Sequence, residues 1–142
     1  MTTIKSAAIK MLQAGLPIFF GSDVGKFSSS TSGIMDLSLI DYELGFNVKL
    51  GMSKAQRLMT GESAMTHAMV LTAVHIENGK SIRWRVQNSW GTNAGSEGWF
   101  VMSDAWMDEF GKFSISLFAI VGVGETWPPW FWAGDLLIFF VI

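Results

Sequence analysis

The sequence predicts an α+β domain that is rich in β-strand. Apolar residues at helical spacing occupy the first dozen positions, an Asn-Gly turn signal separates two long strand-like runs, and shorter apolar runs follow. One helix followed by several antiparallel strands is typical of the α+β class, whereas a parallel sheet needs alternating strands and helices. The 142 residues are enough for one domain with a hydrophobic core of its own.

The first half of the chain predicts short elements joined by loops. Residues 4–12 carry an apolar stripe at helical spacing, and a glycine and a proline end that helix. Residues 17–21 (PIFFG) predict a short buried strand, and the serine- and glycine-rich residues 26–33 predict a surface loop. A weak helix or irregular excursion is expected in residues 36–46, and a helical turn in residues 53–59.

The clearest signal is a β-hairpin in the second half. Residues 65–76 are apolar and long enough for a strand, and Asn78-Gly79 favours a type I′ turn, which needs positive φ at both central residues. Residues 81–88 then alternate and predict two faces. The buried face would carry Ile82, Trp84 and Val86, and the exposed face Arg83 and Arg85.

Two further strands and a helix are predicted after the hairpin. Residues 98–103 and 113–121 are strand-like runs. Between them Asp104 is the expected N-cap of a short helix that ends at Phe110, since a carboxylate readily accepts the free N–H groups of a first turn. No internal repeat is present.

The hairpin register brings three functional side chains together. With a two-residue loop, counting outward along both strands places Asn88 opposite Met69. His67 is then the diagonal neighbour of Asn88, with α-carbons about 7–8 Å apart, and Trp90 lies opposite His67. The same face carries mostly apolar residues and is therefore the buried one: Met69, Leu71, Ala73, Trp84 and Val86.

This trio suits acid–base chemistry. An asparagine carbonyl that accepts the N–H of a neutral imidazole fixes its tautomer and leaves the other ring nitrogen free to take a proton from a thiol. Trp90 beside the pair would exclude water from the bond between Asn88 and His67. The alternative from pattern alone is that His67 is a hydrogen-bonded core residue without a catalytic role.

Two segments resemble a known family. The stretch Gly61–Met69 (GESAMTHAM) is similar to the histidine segment of the bleomycin hydrolases, which are papain-like cysteine aminopeptidases, and Trp84–Gly91 (WRVQNSWG) is similar to their asparagine segment. The Asn-Ser-Trp-Gly string followed by residues 98–100 resembles papain-like peptidases in general. Residues 23–26 and 41–44 resemble the same family upstream.

The resemblance, which runs over residues 5–121, implies a fold and a mechanism. It implies that residues 1–124 form the right-hand lobe of a papain-like peptidase, with an antiparallel, barrel-like sheet, and that the N-terminal helical lobe is missing. His67 would be the general base and acid, Asn88 its orienting partner and Trp90 the shield. Members of the family are cytosolic, remove N-terminal residues from peptides, assemble as hexameric rings and need no cofactor.

The sequence departs from the family in two respects. It contains no cysteine, and the nucleophile and the oxyanion glutamine belong to the family's other lobe, so we expect the 142 residues alone to be inactive. Gln13 and Gln56 lie in the wrong lobe to replace that glutamine, and nothing places Ser63 or Ser89 against the histidine. Residues 125–142 form an aromatic and apolar tail unlike the family's C-terminal arm, which leaves hexamer formation in doubt.

Composition excludes several other classes. A net charge of −2 and scattered basic residues give no footprint for nucleic acid. No signal peptide or transmembrane segment is predicted, because the longest apolar run is far shorter than the roughly 20 residues that span a bilayer. His67 and His75, predicted on one face but eight residues apart, cannot chelate one metal ion.

Two interpretations follow. In the first, the chain is part of a cysteine-type aminopeptidase whose other lobe supplies the thiol. In the second, it is a non-catalytic module that binds or regulates full-length subunits. Cysteine- and glutamine-bearing sequence upstream of Met1 in the same reading frame would favour the first. The charged fraction of only 15% indicates apolar surface meant to be covered, and suits either.

Overall fold

The computed structural model describes residues 2–112, which fold into four helices and seven strands of an α+β domain. The helices are α1 (Thr2–Gln13), α2 (Tyr42–Phe46), α3 (Lys54–Met59) and α4 (Asp104–Phe110). The strands are β1 (Ile18–Ser22), β2 (Ser28–Ser29), β3 (Ile34–Met35), β4 (His67–Glu77), β5 (Lys80–Gln87), β6 (Trp99–Ser103) and β7 (Gly111–Lys112). The predicted strand at 113–121 and the predicted tail at 125–142 lie outside the described residues.

All seven strands belong to one sheet in the order β2-β3-β6-β5-β4-β1-β7. The prediction of an antiparallel sheet is wrong at one place, because β3 pairs with β6 in parallel. The predicted loop at 26–33 also contains β2, which pairs with β3. These strands are two residues long, and such short pairings depend on distant partners rather than on a local pattern.

The hydrophobic core lies on one face of the sheet, under α1 and α4. Ala8 of α1 and Trp106 of α4 are buried in the same cluster as the central strands. The remaining members share that face or the helix surfaces opposite it: Ile18, Phe20, Val24, Met35, Met69, Leu71, Trp84, Val86, Phe100, Met102, Met107 and Phe110. None of the helices within residues 2–112 is long and apolar enough to cross a membrane.

The β4–β5 hairpin turns at Asn78 and Gly79, which have φ of 50° and 76° as a type I′ turn requires. Its ladder has two irregularities. Thr72 is an extra residue on β4, between the pairs Leu71–Val86 and Ala73–Arg85, and Ile82 is an extra residue on β5. One extra residue on each strand restores the original register beyond the second irregularity.

These irregularities correct three predictions about the faces of the hairpin. Ala73 is exposed and Val74 packs against the core instead, because Thr72 shifts the alternation by one residue. Ile82 is 39% exposed and does not share the burial of Trp84. His75 consequently lies on the face opposite to the core, where Arg83 Nε donates to its Nδ1 over 3.1 Å.

Helix α4 is capped by Ser103, whose hydroxyl accepts from the N–H of Trp106, and not by Asp104 as predicted. The Asp104 carboxylate instead faces the sheet. It accepts from the Trp84 indole N–H over 2.9 Å and from the Ser81 hydroxyl over 2.7 Å. It also pairs with Lys5 Nζ of α1 at 2.6 Å. One side chain thus joins α1, α4 and β5.

Candidate active site

The three residues predicted to act together are in contact. His67 is the first residue of β4, and Asn88 follows the last residue of β5. His67 Nε2 and Asn88 Oδ1 are 2.7 Å apart. The Trp90 ring stacks on the imidazole with centroids 4.7 Å apart and planes 25° from parallel. The structure therefore assembles an imidazole, a carboxamide and an indole at one end of the hairpin.

The route to this arrangement differs in one respect from the predicted ladder. Within the described residues, the last β4–β5 pair is Val70–Gln87, so Asn88 does not pair with Met69. The backbone N–H of Asn88 instead donates to Gly98 O over 3.0 Å, which turns the chain towards the start of β6. Trp90 reaches His67 by stacking after the strand has ended.

Hydrogen bonding fixes the orientation of the Asn88 amide. The Ser89 backbone N–H can only donate, and it lies 2.8 Å from the same Asn88 atom that contacts His67. That atom is therefore the carbonyl oxygen, which can only accept. Nε2 of His67 must then carry a hydrogen, and in the neutral ring Nδ1 is left with a lone pair. The geometry selects one tautomer.

The Asn88 side chain is buried, whereas the Trp90 ring is partly exposed to solvent. Asn88 is 8% exposed, and its Nδ2 has no hydrogen-bond partner within residues 2–112. Trp90 is 41% exposed and makes a T-shaped contact with the buried Phe100 ring, with centroids 5.8 Å apart. Phe100 therefore packs Trp90 against the core. The sequence marked it only as part of the Gly-Trp-Phe string.

A second buried polar residue borders the histidine. Ser22, the last residue of β1, pairs directly with His67, so their side chains lie on the same face of the sheet. Ser22 is fully buried, and its hydroxyl has no partner among the residues that the structure describes. This position could not be predicted from the sequence, since nothing local relates Ser22 to a histidine 45 residues later.

The other polar residues considered in the sequence lie elsewhere or act locally. Gln56 closes a capping box with Ser53 at the start of α3, and Gln13 ends α1. Ser63 is buried, and its N–H donates to Arg57 O over 3.1 Å. No group of three or more histidine, aspartate or glutamate side chains in residues 2–112 is arranged to hold a metal ion.

The domain has a histidine at the start of one strand, an asparagine just after the next strand and a tryptophan stacked on the histidine, which is the arrangement that the resemblance to papain-like peptidases predicted. Comparisons with known proteins agree. A family model described as Peptidase C1-like family matches residues 1–118. The chain therefore belongs to the Peptidase C1-like family, as the two sequence segments predicted.

The chain is similar to several individual members of this family. Aminopeptidase C of Listeria monocytogenes is 48% identical over 110 residues, which cover 78% of this chain and 25% of that protein. Bleomycin hydrolase of Gallus gallus is 43% identical over 111 residues, covering 75% and 24%. The crystal structure of PepW from Lactobacillus rhamnosis HN001 superimposes with a TM-score of 0.77 at 49% identity, covering 79% and 25%. The chain spans about a quarter of the length of these relatives.

Proposed function

We propose that this domain is the histidine-bearing lobe of a cysteine-type aminopeptidase that hydrolyses N-terminal peptide or amide bonds. The observation that carries the proposal is the 2.7 Å contact between His67 Nε2 and Asn88 Oδ1, with the amide orientation fixed by Ser89. This contact leaves Nδ1 as the only ring atom able to accept a proton. A base with one defined basic atom is what thiol activation requires.

The proton path follows from that tautomer. Nδ1 takes the proton of a thiol, and the thiolate sulfur attacks the carbonyl carbon of the scissile amide. When the C–N bond breaks, the imidazolium returns the proton to the leaving amine. Water then gives a proton to Nδ1 as its oxygen adds to the thioester, and the thiolate leaves. Through both steps Asn88 accepts from Nε2 and stabilises the charged ring.

Trp90 would keep water away from the His67–Asn88 bond. Its ring covers one face of the imidazole and is itself braced by Phe100. A hydrogen bond that is shielded from water is stronger and holds the ring orientation better. Trp90 is therefore proposed as a supporting residue and not as a participant in proton transfer.

The thiol must come from other sequence, because none of the 142 residues is cysteine. The proposal accordingly assigns residues 1–124 to one lobe and expects no activity from the 142-residue chain alone. By the same resemblance we propose peptides as substrates, no cofactor and a cytoplasmic location. We do not propose a hexamer, because the sequence of residues 125–142 does not resemble the family's C-terminal arm.

The test is complementation. The full 142-residue chain is produced together with the portion of a Peptidase C1-like relative that carries its cysteine, and release of a fluorophore from an aminoacyl amide is measured. His67→Ala should lower the rate about 10²- to 10⁴-fold, the range for loss of a general base. His75→Ala is the matched control, since that histidine lies on the opposite face of the hairpin.

Two results would count against the proposal. Hydrolysis that survives His67→Ala would show that another group acts as the base. Stable association with the partner portion, but no hydrolysis with either variant or with the original chain, would favour the non-catalytic, regulatory interpretation.

A further inference from the structure

At His67, β4 pairs with a neighbouring strand on one side only. On the β1 side, pairing continues through Ser22–His67. On the β5 side, the last pair within the described residues is Val70–Gln87, after which Asn88 turns towards Gly98. The backbone of residues 67–69 is therefore fixed by β1, and the only described link from His67 to the β5 end is made by side chains.

Thr66, the residue before His67, adds hydrogen bonds to the same side, at the end of β1. Its N–H donates to Ser22 O over 2.9 Å, and its hydroxyl also lies within hydrogen-bonding distance of Ser22 O, at 3.3 Å. The same hydroxyl oxygen accepts from the N–H of Val24 over 3.2 Å. One side chain thus spans the point at which the chain leaves β1. Without this hydroxyl, no hydrogen bond among the described residues would join Thr66 to the chain beyond Ser22.

The segment that Thr66 contacts is itself anchored. The N–H of Asp23 donates to Phe110 O at the end of α4 over 3.1 Å. Ser22 pairs with Gly111 of β7 on its other side. The hydroxyl of Thr66 is therefore attached to a framework of sheet and helix, and not to a free loop. A contact of this kind can restrain the position of the next residue, His67.

We propose that Thr66 is a positioning residue for His67, because its hydroxyl joins Ser22 O to the Val24 N–H and so holds the backbone from which the imidazole projects. The proposal rests on the proposed function in so far as His67 is a base. The contact it preserves is the one between His67 Nε2 and Asn88 Oδ1. A small movement of the His67 backbone lengthens that hydrogen bond, because Asn88 is fixed independently through Gly98 and Ser89.

The experiment measures the Nε2-bound hydrogen of His67 by NMR on the full 142-residue chain. Thr66→Val removes the hydroxyl and keeps the size and the β-branch. Its Nε2–H should exchange with water roughly 2- to 10-fold faster, the range that loss of one modest hydrogen bond produces. Thr66→Ser keeps the hydroxyl and should restore slow exchange. Thr66→Ala is a second variant without a hydroxyl, should the valine variant not fold.

Thr72→Val is the matched control. Thr72 lies on β4, as His67 does, but five residues further along the strand. Its hydroxyl also donates to a backbone carbonyl, Arg85 O, over 3.3 Å. Equal exchange rates in Thr66→Val and the original chain would overturn the positioning role. So would equal acceleration by Thr72→Val, which would indicate general loosening of β4.

The two proposals fail separately. Unchanged exchange in Thr66→Val removes the positioning role but leaves the dependence of hydrolysis on His67 intact. Hydrolysis that survives His67→Ala removes the proposed function, whereas faster exchange in Thr66→Val would still show that the threonine orders the ring.

Discussion

Two aspartates of α4 share one lysine, and their removal should have unequal costs. Lys5 Nζ lies 2.6 Å from Asp104 Oδ2 and 2.7 Å from Asp108 Oδ2. Only Asp104 also accepts from a buried donor, the indole N–H of Trp84, a residue 1% exposed. Asp104→Ala would leave that N–H without its acceptor, whereas Asp108→Ala would remove only a partly exposed ion pair.

The magnitudes follow from these environments. An unpaired buried donor costs about 1–3 kcal/mol. The ion pair with Lys5 is partly buried, with the Lys5 and Asp104 side chains 12% and 25% exposed, and we assign it about 1 kcal/mol, since Asp108 still pairs with Lys5 when Asp104 is removed. We therefore expect Asp104→Ala to lower the free energy of unfolding by about 2–4 kcal/mol, and Asp108→Ala by about 0–1 kcal/mol. Asp104→Asn keeps an oxygen for the indole and should recover most of the difference.

The assay is urea unfolding of the full chain followed by far-ultraviolet circular dichroism, with equal m-values as the condition for comparing variants. A gap of about 1 kcal/mol or more between the two alanine variants is expected. Equal destabilisation would refute the reasoning, since it would mean that the Trp84–Asp104 hydrogen bond adds nothing to the ion pair that each aspartate makes with Lys5.

Three further predictions concern the same unfolding measurement. Burial raises the pKa of Asp104, but hydrogen bonds from Lys5, Ser81 and Trp84 outweigh it, so the pKa is lowered on folding. The charged carboxylate therefore stabilises the folded state, and this contribution is lost when the group is protonated at low pH. The destabilisation by Asp104→Asn should thus be constant above about pH 5 and shrink as the pH falls below about 4. A pH-independent difference would contradict this. Gly33→Ala should lower the free energy of unfolding by more than about 1 kcal/mol, since φ is +66° and a Cβ would lie 2.8 Å from backbone atoms of Gly95 and Trp99. Its control is Gly45→Ala, which lies in open space within α2 and should be neutral or stabilising. Lys54→Met should lower the free energy of unfolding by about 1–2 kcal/mol, because Lys54 Nζ donates to Asp108 O and Gly111 O at the end of α4. The exposed Lys49 is the control, and Lys49→Met should have no measurable effect. Equal effects of the two glycine variants, or of the two lysine variants, would show that the named contacts do not matter.

The parts of the fold that could be predicted are those with a local cause. Asn78 and Gly79 specify their turn through backbone preference alone, and the turn is found where predicted. The apolar stripe of residues 4–12 predicted α1, and the Ser53–Gln56 capping box lies at the start of the helical turn expected near residue 53. Each of these signals is complete within a few residues of chain.

The parts that could not be predicted depend on distant partners. Nothing near Ile34 indicates that β3 will pair in parallel with β6, some 65 residues later. Asp104 has the local preference of an N-cap, yet its carboxylate binds Trp84 and Ser81, because these side chains reach it across the core. The extra residue at Thr72 also has no local signature, and it moved Ala73 off the buried face.

The candidate site could be predicted in spite of this error, for a specific reason. The contact of His67 with Asn88 depends on the register at the open end of the hairpin. The displacement by Thr72 on β4 is cancelled by that of Ile82 on β5 before this end is reached. Counting residues from the turn therefore predicted the contact of His67 with Asn88 correctly, but it gave an Asn88–Met69 pair that does not form and the wrong face in the middle of the hairpin. Ser22 and Thr66 were missed because their roles arise from β1.

That cancellation restricts how the length of the hairpin can change between related proteins. One residue added to or deleted from a single arm between the turn and the site would invert the alternation beyond it and turn either the imidazole or the carboxamide to the outer face. One residue changed on both arms would preserve the pair, whereas two on the same arm would keep both side chains on the inner face but shift one along its strand by two residues, about 7 Å. Changes in the length of this hairpin between the turn and the site should therefore occur equally on both arms.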